Sequence, residues 1–144
     1  MPASNILSSM HDGIVVMATG LITPLALRVV KRLRDASLPI EFQELEVRRF
    51  NNGETHVELN ENVRGKTVFL FHGFSHQPNN DLMQLFIICD AIQRSHARSI
   101  ILITPFFPYG RQDRVQAREP FSAKLVAKML EVNPIIEKMI TFDL

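Results

Sequence analysis

Arg111, Gln112, Asp113 and Arg114 stand together in this chain, just after Phe106, Phe107 and Tyr109. Guanidinium groups present planar forks that match phosphate oxygens, and a glutamine amide both donates and accepts toward a base or a ribose. Asp113 can neutralise or orient an arginine. The same four residues also make an ordinary solvated turn held by local ion pairs, but aromatic surface beside cations suits stacking as well as packing.

A second group is Arg48-Arg49-Phe50-Asn51-Asn52-Gly53-Glu54. Asn51-Asn52-Gly53 signals a turn, because Asn and Gly tolerate positive φ. At such a tip Phe50 can stack on an adenine while Asn52 or Glu54 reaches its polar edge. A plain hairpin with Phe50 in the core fits these residues equally well. Glu54 and His56 are too thin a signal for a metal.

The loop Ala18-Thr19-Gly20-Leu21-Ile22-Thr23 precedes a helix, and helix N-termini offer free amides to anions. It lacks the Gly-Lys-Ser/Thr ending of a P-loop, so it reads as a structural strand-to-helix turn. His72 and His76 follow a strand near Asn79 and Asn80, while His11 and His96 look peripheral. No set of them has metal-ligand spacing. Cys89, the only cysteine, falls on an apolar helical face and reads as core, and no internal disulfide is available to it. No nucleophile, base and orienter arrangement is legible.

These groups must be positioned by an alternation of buried strands and amphipathic helices. Ile14 to Met17, Val68 to Phe71 and Ile100 to Ile103 are short apolar runs of the kind found in parallel sheets, and Lys138 to Phe142 is a last strand. Between them, Thr23 is expected to cap a helix with Pro24 at its first position, ending near Ala36. Asn79 or Asn80 is expected to cap a second, with Leu82, Leu85, Phe86, Cys89 and Ile92 inward. A third runs from about Pro120 to Leu130. Phe42 to Phe50 alternates and Thr55 to Leu59 returns, giving a hairpin. The order predicts an α/β fold: a mostly parallel twisted sheet covered by helices on both faces, with a small antiparallel hairpin inserted. Met1 to His11 is a loose start.

At 144 residues the chain suits one domain with a sizeable core. No apolar run approaches the roughly 20 residues that span a bilayer, and no basic and apolar leader opens the chain, so the expected compartment is the cytoplasm. A formal charge of +1 argues against nucleic-acid binding.

Four stretches carry a resemblance: Glu46 to Glu54, Asn80 to Leu85, Phe107-Pro108-Tyr109-Gly110-Arg111-Gln112-Asp113-Arg114, and Arg118 to Leu130. In composition, order and approximate spacing they resemble the ribose-phosphate diphosphokinases, or PRPP synthetases, over nearly the whole chain from about Val15. The resemblance implies a phosphoribosyltransferase type I-like fold. It also implies use of ATP and Mg²⁺ to transfer diphosphate to the anomeric hydroxyl of ribose 5-phosphate, giving phosphoribosyl diphosphate and AMP. The family's adenine clasp falls on Phe50, Asn52 and Glu54, and its ATP-binding arginine and glutamine on Arg111 and Gln112. In the family these elements meet across a subunit interface, which implies a homo-oligomer or association with full-length subunits.

The chain departs from the family pattern at Asn52, where the family carries aspartate, at Gly110, and around Gln116. It stops at Phe142-Asp143-Leu144, where the family continues with a histidine and a second domain that holds ribose 5-phosphate. Residues 1–144 are therefore expected to be an N-terminal domain without the second catalytic domain, and not to complete the reaction alone. The alternative expectation is a non-catalytic regulatory or scaffolding subunit that binds PRPP synthetase.

Overall fold

The apolar run at the start of the chain forms strand β1, Ile14–Ala18, in a computed structural model that describes residues 13–143. The expected loose start, Met1 to His11, lies outside the described residues. After a 3₁₀ turn, Gly20–Ile22, come helix α1, Thr23–Asp35, and strands β2, Glu41–Glu44, β3, Glu46–Arg49, β4, Thr55–Glu58, and β5, Thr67–Phe71. Helix α2, Pro78–Arg94, strand β6, Ser99–Phe106, helix α3, Ser122–Glu131, and strand β7, Ile136–Asp143, complete the order.

Five strands form one parallel sheet in the order β2-β1-β5-β6-β7, and β3 and β4 form a separate antiparallel hairpin. The alternating stretch expected from Phe42 to Phe50 therefore divides between two sheets. The division falls at Leu45, whose N–H donates to the Ala18 carbonyl at 2.9 Å and closes the end of the parallel ladder. Parallel pairing is made by backbone groups after a crossover, and an edge strand with one buried side chain can be polar, so β2 leaves little trace in the sequence.

The sheet's side chains separate into two cores, as its pleat requires. Val15, Met17, Val68, Leu70, Ile100 and Leu102 meet Leu85, Ile88, Cys89 and Ile92 of α2 and Val126 and Leu130 of α3. On the opposite face Val16, Ala18, Phe71 and Ile103 meet Ala26 and Val30 of α1. Both faces carry helices, but unequally, since α1 is the helix packed in the second core. Ile140 lies opposite Ile103 in register and so points to the α1 face, where it and Phe142 remain exposed.

Two expected caps are corrected. Thr23 already has helical angles, φ −52° and ψ −44°, because the 3₁₀ turn runs directly into α1. Its hydroxyl donates to Glu44 Oε1 at 3.0 Å instead of capping. In α2 it is Pro78 that opens the helix after a non-helical Gln77, as suits a residue with no N–H to satisfy. Asn79 and Asn80 lie inside the first turn, where Asn80 Nδ2 donates to Gln77 Oε1 at 2.7 Å.

Candidate active site

The hairpin tip is held by its own backbone. Phe50 N–H donates to the Glu54 carbonyl and Gly53 N–H to the Phe50 carbonyl, both at 2.9 Å. Gly53 has φ +90°, a conformation that L side chains rarely adopt. Asn52 Oδ1 accepts from Glu54 N–H at 3.1 Å, so the carbonyl of this side chain shapes the turn and its amide faces outward as a donor. The Phe50 ring is 58% exposed and tilts against His56 with centroids 5.7 Å apart, which removes the reading that buried it in the core. Phe50, Asn52 and Glu54 thus share one exposed tip. The hairpin is anchored further back, where Val47, Val57 and Leu59 pack against the core under α2.

The arginine group sits in the long connection from β6 to α3. Tyr109 turns the chain at φ +60° and its hydroxyl donates to Asn79 Oδ1 on α2. Gln112 is fixed twice at the start of α3. Its backbone carbonyl accepts from Ala123 N–H at 3.2 Å, and its Oε1 accepts from the Ser122 hydroxyl at 2.5 Å. Helix α3 has no side-chain cap of its own, so the bond from Ala123 satisfies one backbone donor that its first turn leaves unpaired, and the Ser122 hydroxyl ties the Gln112 side chain to the same turn.

Asp113 and Arg114 form an exposed ion pair at 3.1 Å, with the arginine holding the Asp113 carboxyl below its ordinary range. Asp113 is thereby assigned to Arg114, and Arg111 has no carboxylate partner among the described residues. It stands between two clefts. One, roughly 350 Å³, lies at the ends of β6 and β7 and is lined by Phe106, Phe107, Tyr109, Arg111 and Asp143. The other, roughly 520 Å³, is lined by Arg111, Asp113, Arg114, Gln116 and Glu119. A guanidinium with no carboxylate partner among the described residues, beside aromatic surface, has the chemistry to pair with phosphate oxygens. Neither cleft includes a residue of the hairpin tip, so the two candidate elements do not meet within one chain at these clefts.

His72, to which no role could be read from residue spacing, is fully buried at the end of β5. Burial pushes its imidazole down to about 4, so the ring is neutral. Nearby, the Asp81 carboxylate accepts from Ser75 N–H at 2.6 Å and from Ser75 Oγ at 2.7 Å. The only signal for this arrangement is an acidic residue in the first turn after Pro78, which the helix dipole favours. Among the described residues no group of three or more His, Cys, Asp or Glu side chains is arranged to hold a metal ion, and no helix is long and apolar enough to cross a membrane.

Comparison with known proteins agrees with this architecture. Residues 14–133 match the N-terminal domain of ribose phosphate pyrophosphokinase. The ribose-phosphate pyrophosphokinase of Burkholderia pseudomallei is 43% identical over 138 residues, which cover 94% of this chain and 42% of that protein. Ribose-phosphate pyrophosphokinase 1 of Streptococcus pneumoniae is 42% identical over 106 residues, covering 73% and 33%. The crystal structure of phosphoribosylpyrophosphate synthetase from Mycobacterium smegmatis superposes with a TM-score of 0.77 at 29% identity, over 91% of this chain and 48% of that one. A hypoxanthine phosphoribosyltransferase from Trypanosoma cruzi, in complex with the product IMP, shares the fold alone, with a TM-score of 0.57 at 11% identity over 98% and 72%.

This chain thus spans less than half the length of the ribose-phosphate pyrophosphokinases it matches. Its sheet, flanking helices and two-stranded hairpin form a phosphoribosyltransferase type I-like fold, and the chain belongs to the ribose-phosphate pyrophosphokinase, or PRPP synthetase, family, matching its N-terminal domain.

Proposed function

We propose that this chain supplies nucleotide-binding elements to a ribose-phosphate diphosphokinase, which transfers diphosphate from ATP to the anomeric hydroxyl of ribose 5-phosphate. The observation that carries this reading is Arg111, an exposed guanidinium without a carboxylate partner among the described residues, in a loop held by Tyr109 and Gln112 at the carboxyl end of β6. Catalysis of phosphoryl transfer is largely positioning plus electrostatics, and this arrangement offers both.

In this reading Arg111 donates to phosphate oxygens of ATP, and Gln112, tied to Ser122, holds the loop in place. Phe50 stacks on the adenine, the Asn52 amide donates to a ring nitrogen, and Glu54 accepts from the exocyclic amino group. Because the hairpin tip lies outside both clefts at Arg111, the clasp is completed by a second subunit, either another copy or a full-length family member. The acceptor hydroxyl attacks the β-phosphorus, the bond from that phosphorus to the oxygen bridging it to the α-phosphorus breaks, and AMP leaves. Magnesium in the assembled enzyme supplies charge neutralisation on the phosphates. The described residues do not form a cage for it, and no step here depends on them doing so. Ribose 5-phosphate binding is assigned to the part of the family enzyme that this chain does not match.

The test is AMP and phosphoribosyl diphosphate formation from ATP, Mg²⁺ and ribose 5-phosphate, by the purified chain alone and mixed with a full-length family member. The expected result is no product from the chain alone and altered turnover in the mixture, with ATP protecting Arg111 from arginine-specific modification. Altered turnover without protection at Arg111 supports the regulatory or scaffolding subunit instead. Unaltered turnover and no protection overturn both readings.

A further inference from the structure

The order β2-β1-β5-β6-β7 reverses direction between β1 and β5: the chain leaves β1 toward β2 on one side and later returns to β5 on the other. Connections that diverge in this way leave a crevice at the carboxyl ends of the two strands, the usual ligand position in open α/β sheets. Here the crevice is a cleft of roughly 540 Å³, lined by Thr19 and Gly20 after β1, Gly73 and Ser75 after β5, and Asp81 and Gln84 from α2. It lies apart from the clefts at Arg111, which share no lining residue with it.

Asp81 is only 9% exposed, and both bonds from Ser75 go to its Oδ2. Its other oxygen, Oδ1, accepts no hydrogen bond among the described residues, although the side chain lines the cleft. Held through Oδ2, the carboxylate presents Oδ1 as an open acceptor to a donor in the cleft. The lining selects which donor. Three carboxylates, Glu44, Glu46 and Asp81, face one guanidinium, Arg49, so a phosphate dianion meets net repulsion. A metal ion is disfavoured too, since these carboxylates are not close enough together to form a group of three ligands among the described residues. Hydroxyl donors remain, and an acidic side chain at a switch point is well placed to accept from a ribose diol. Leu21, Leu45 and Val47 add apolar wall for the face of a base.

We propose that this cleft binds an uncharged ribonucleoside, with Asp81 Oδ1 accepting from a ribose hydroxyl. The assignment is independent of the ATP reading, which involves other residues.

The test is an NMR titration of the ¹⁵N-labelled chain with adenosine, 2′-deoxyadenosine and AMP. Adenosine is expected to give saturable shifts at the amides of Thr19, Gly20, Gly73 and Ser75, with 2′-deoxyadenosine about tenfold weaker and AMP weaker than adenosine. In Asp81→Asn the carbonyl oxygen stays with Ser75 and an amide donor replaces Oδ1, so discrimination against the deoxynucleoside should vanish. Gly20→Leu is the second variant. Its backbone is not left-handed and a Cβ there meets nothing within 4 Å, so a leucine fits without steric conflict on the lining of the cleft, and it should abolish the shifts. Shifts confined to Phe50 and Arg111, no saturable shifts, equal or tighter binding of AMP or 2′-deoxyadenosine, or undiminished binding by Gly20→Leu overturns the proposal. If Asp81→Asn does not fold, the ligand series and Gly20→Leu decide it.

Discussion

The imidazole Nε2 of His72 lies 2.9 Å from the backbone carbonyl oxygen of Asp81, joining the end of β5 to the first turn of α2 at a fully buried position. A carbonyl only accepts, so Nε2 carries the proton and Nδ1 faces the Thr19 hydroxyl at 3.4 Å. One neutral ring thus ties together the segments that follow β1 and β5.

This tie makes stability depend on acid. Burial lowers the His72 pKa from 6.5 to about 4, so above pH 6.5 the ring is neutral in both folded and unfolded chains and its contribution is complete. As pH falls from 6.5 toward 4 the unfolded chain takes up a proton that the folded one refuses. Stability should therefore drop by about 3 kcal/mol across that window, with no further loss from this group below it. Urea unfolding of the parent and His72→Gln at several pH values checks this: the difference between the two should shrink as pH falls through the window, and a constant difference rejects it.

Arg111→Ala should leave the circular dichroism and melting temperature unchanged, because the side chain is exposed and has no ion-pair partner among the described residues, while weakening ATP binding in the assembled enzyme by more than about tenfold. Arg111→Lys should restore only part of that, since an ammonium cannot make the forked contact. Isothermal titration with a non-hydrolysable ATP analogue in the mixed complex reads both.

Gln43 on β2 is only 7% exposed, and neither its Nε2 nor its Oε1 has a hydrogen-bond partner among the described residues. Burying an unsatisfied amide costs free energy that a methionine of similar length does not incur. Gln43→Met should raise the unfolding free energy by about 1–2 kcal/mol, measured by denaturant titration. A loss of stability would show that the amide is satisfied in solution.

Cys89 is fully buried, and burial pushes its thiol up to about 12. The native chain should leave it unmodified by an aromatic disulfide reagent at pH 8, with reaction appearing only across the unfolding transition. Prompt labelling of the native protein contradicts the packing of α2 on the sheet.

The buried strands were legible because Val68 to Phe71 and Ile100 to Ile103 are continuous apolar runs, and the inward face of α2 because Leu82, Leu85, Cys89 and Ile92 recur at helical spacing. The polar strand β2 was not, because an edge strand buries few of its side chains and its pairing partner lies far away in sequence. The caps failed for a local reason: Pro78 and the 3₁₀ turn each started a helix before the Asn or Thr expected to cap it.

Residue types and spacing alone determined the hairpin tip at Asn51-Asn52-Gly53, the loop from Phe107 to Arg114 and the family they resemble, since turn chemistry and motifs are local properties of the chain. Only the tertiary structure decided that Asp113 pairs with Arg114, that the hairpin tip and Arg111 do not share a cleft, and that Thr19, His72 and Asp81 converge after β1 and β5. Those relations depend on crossovers that bring distant segments together, and no short-range pattern in the sequence encodes such distances.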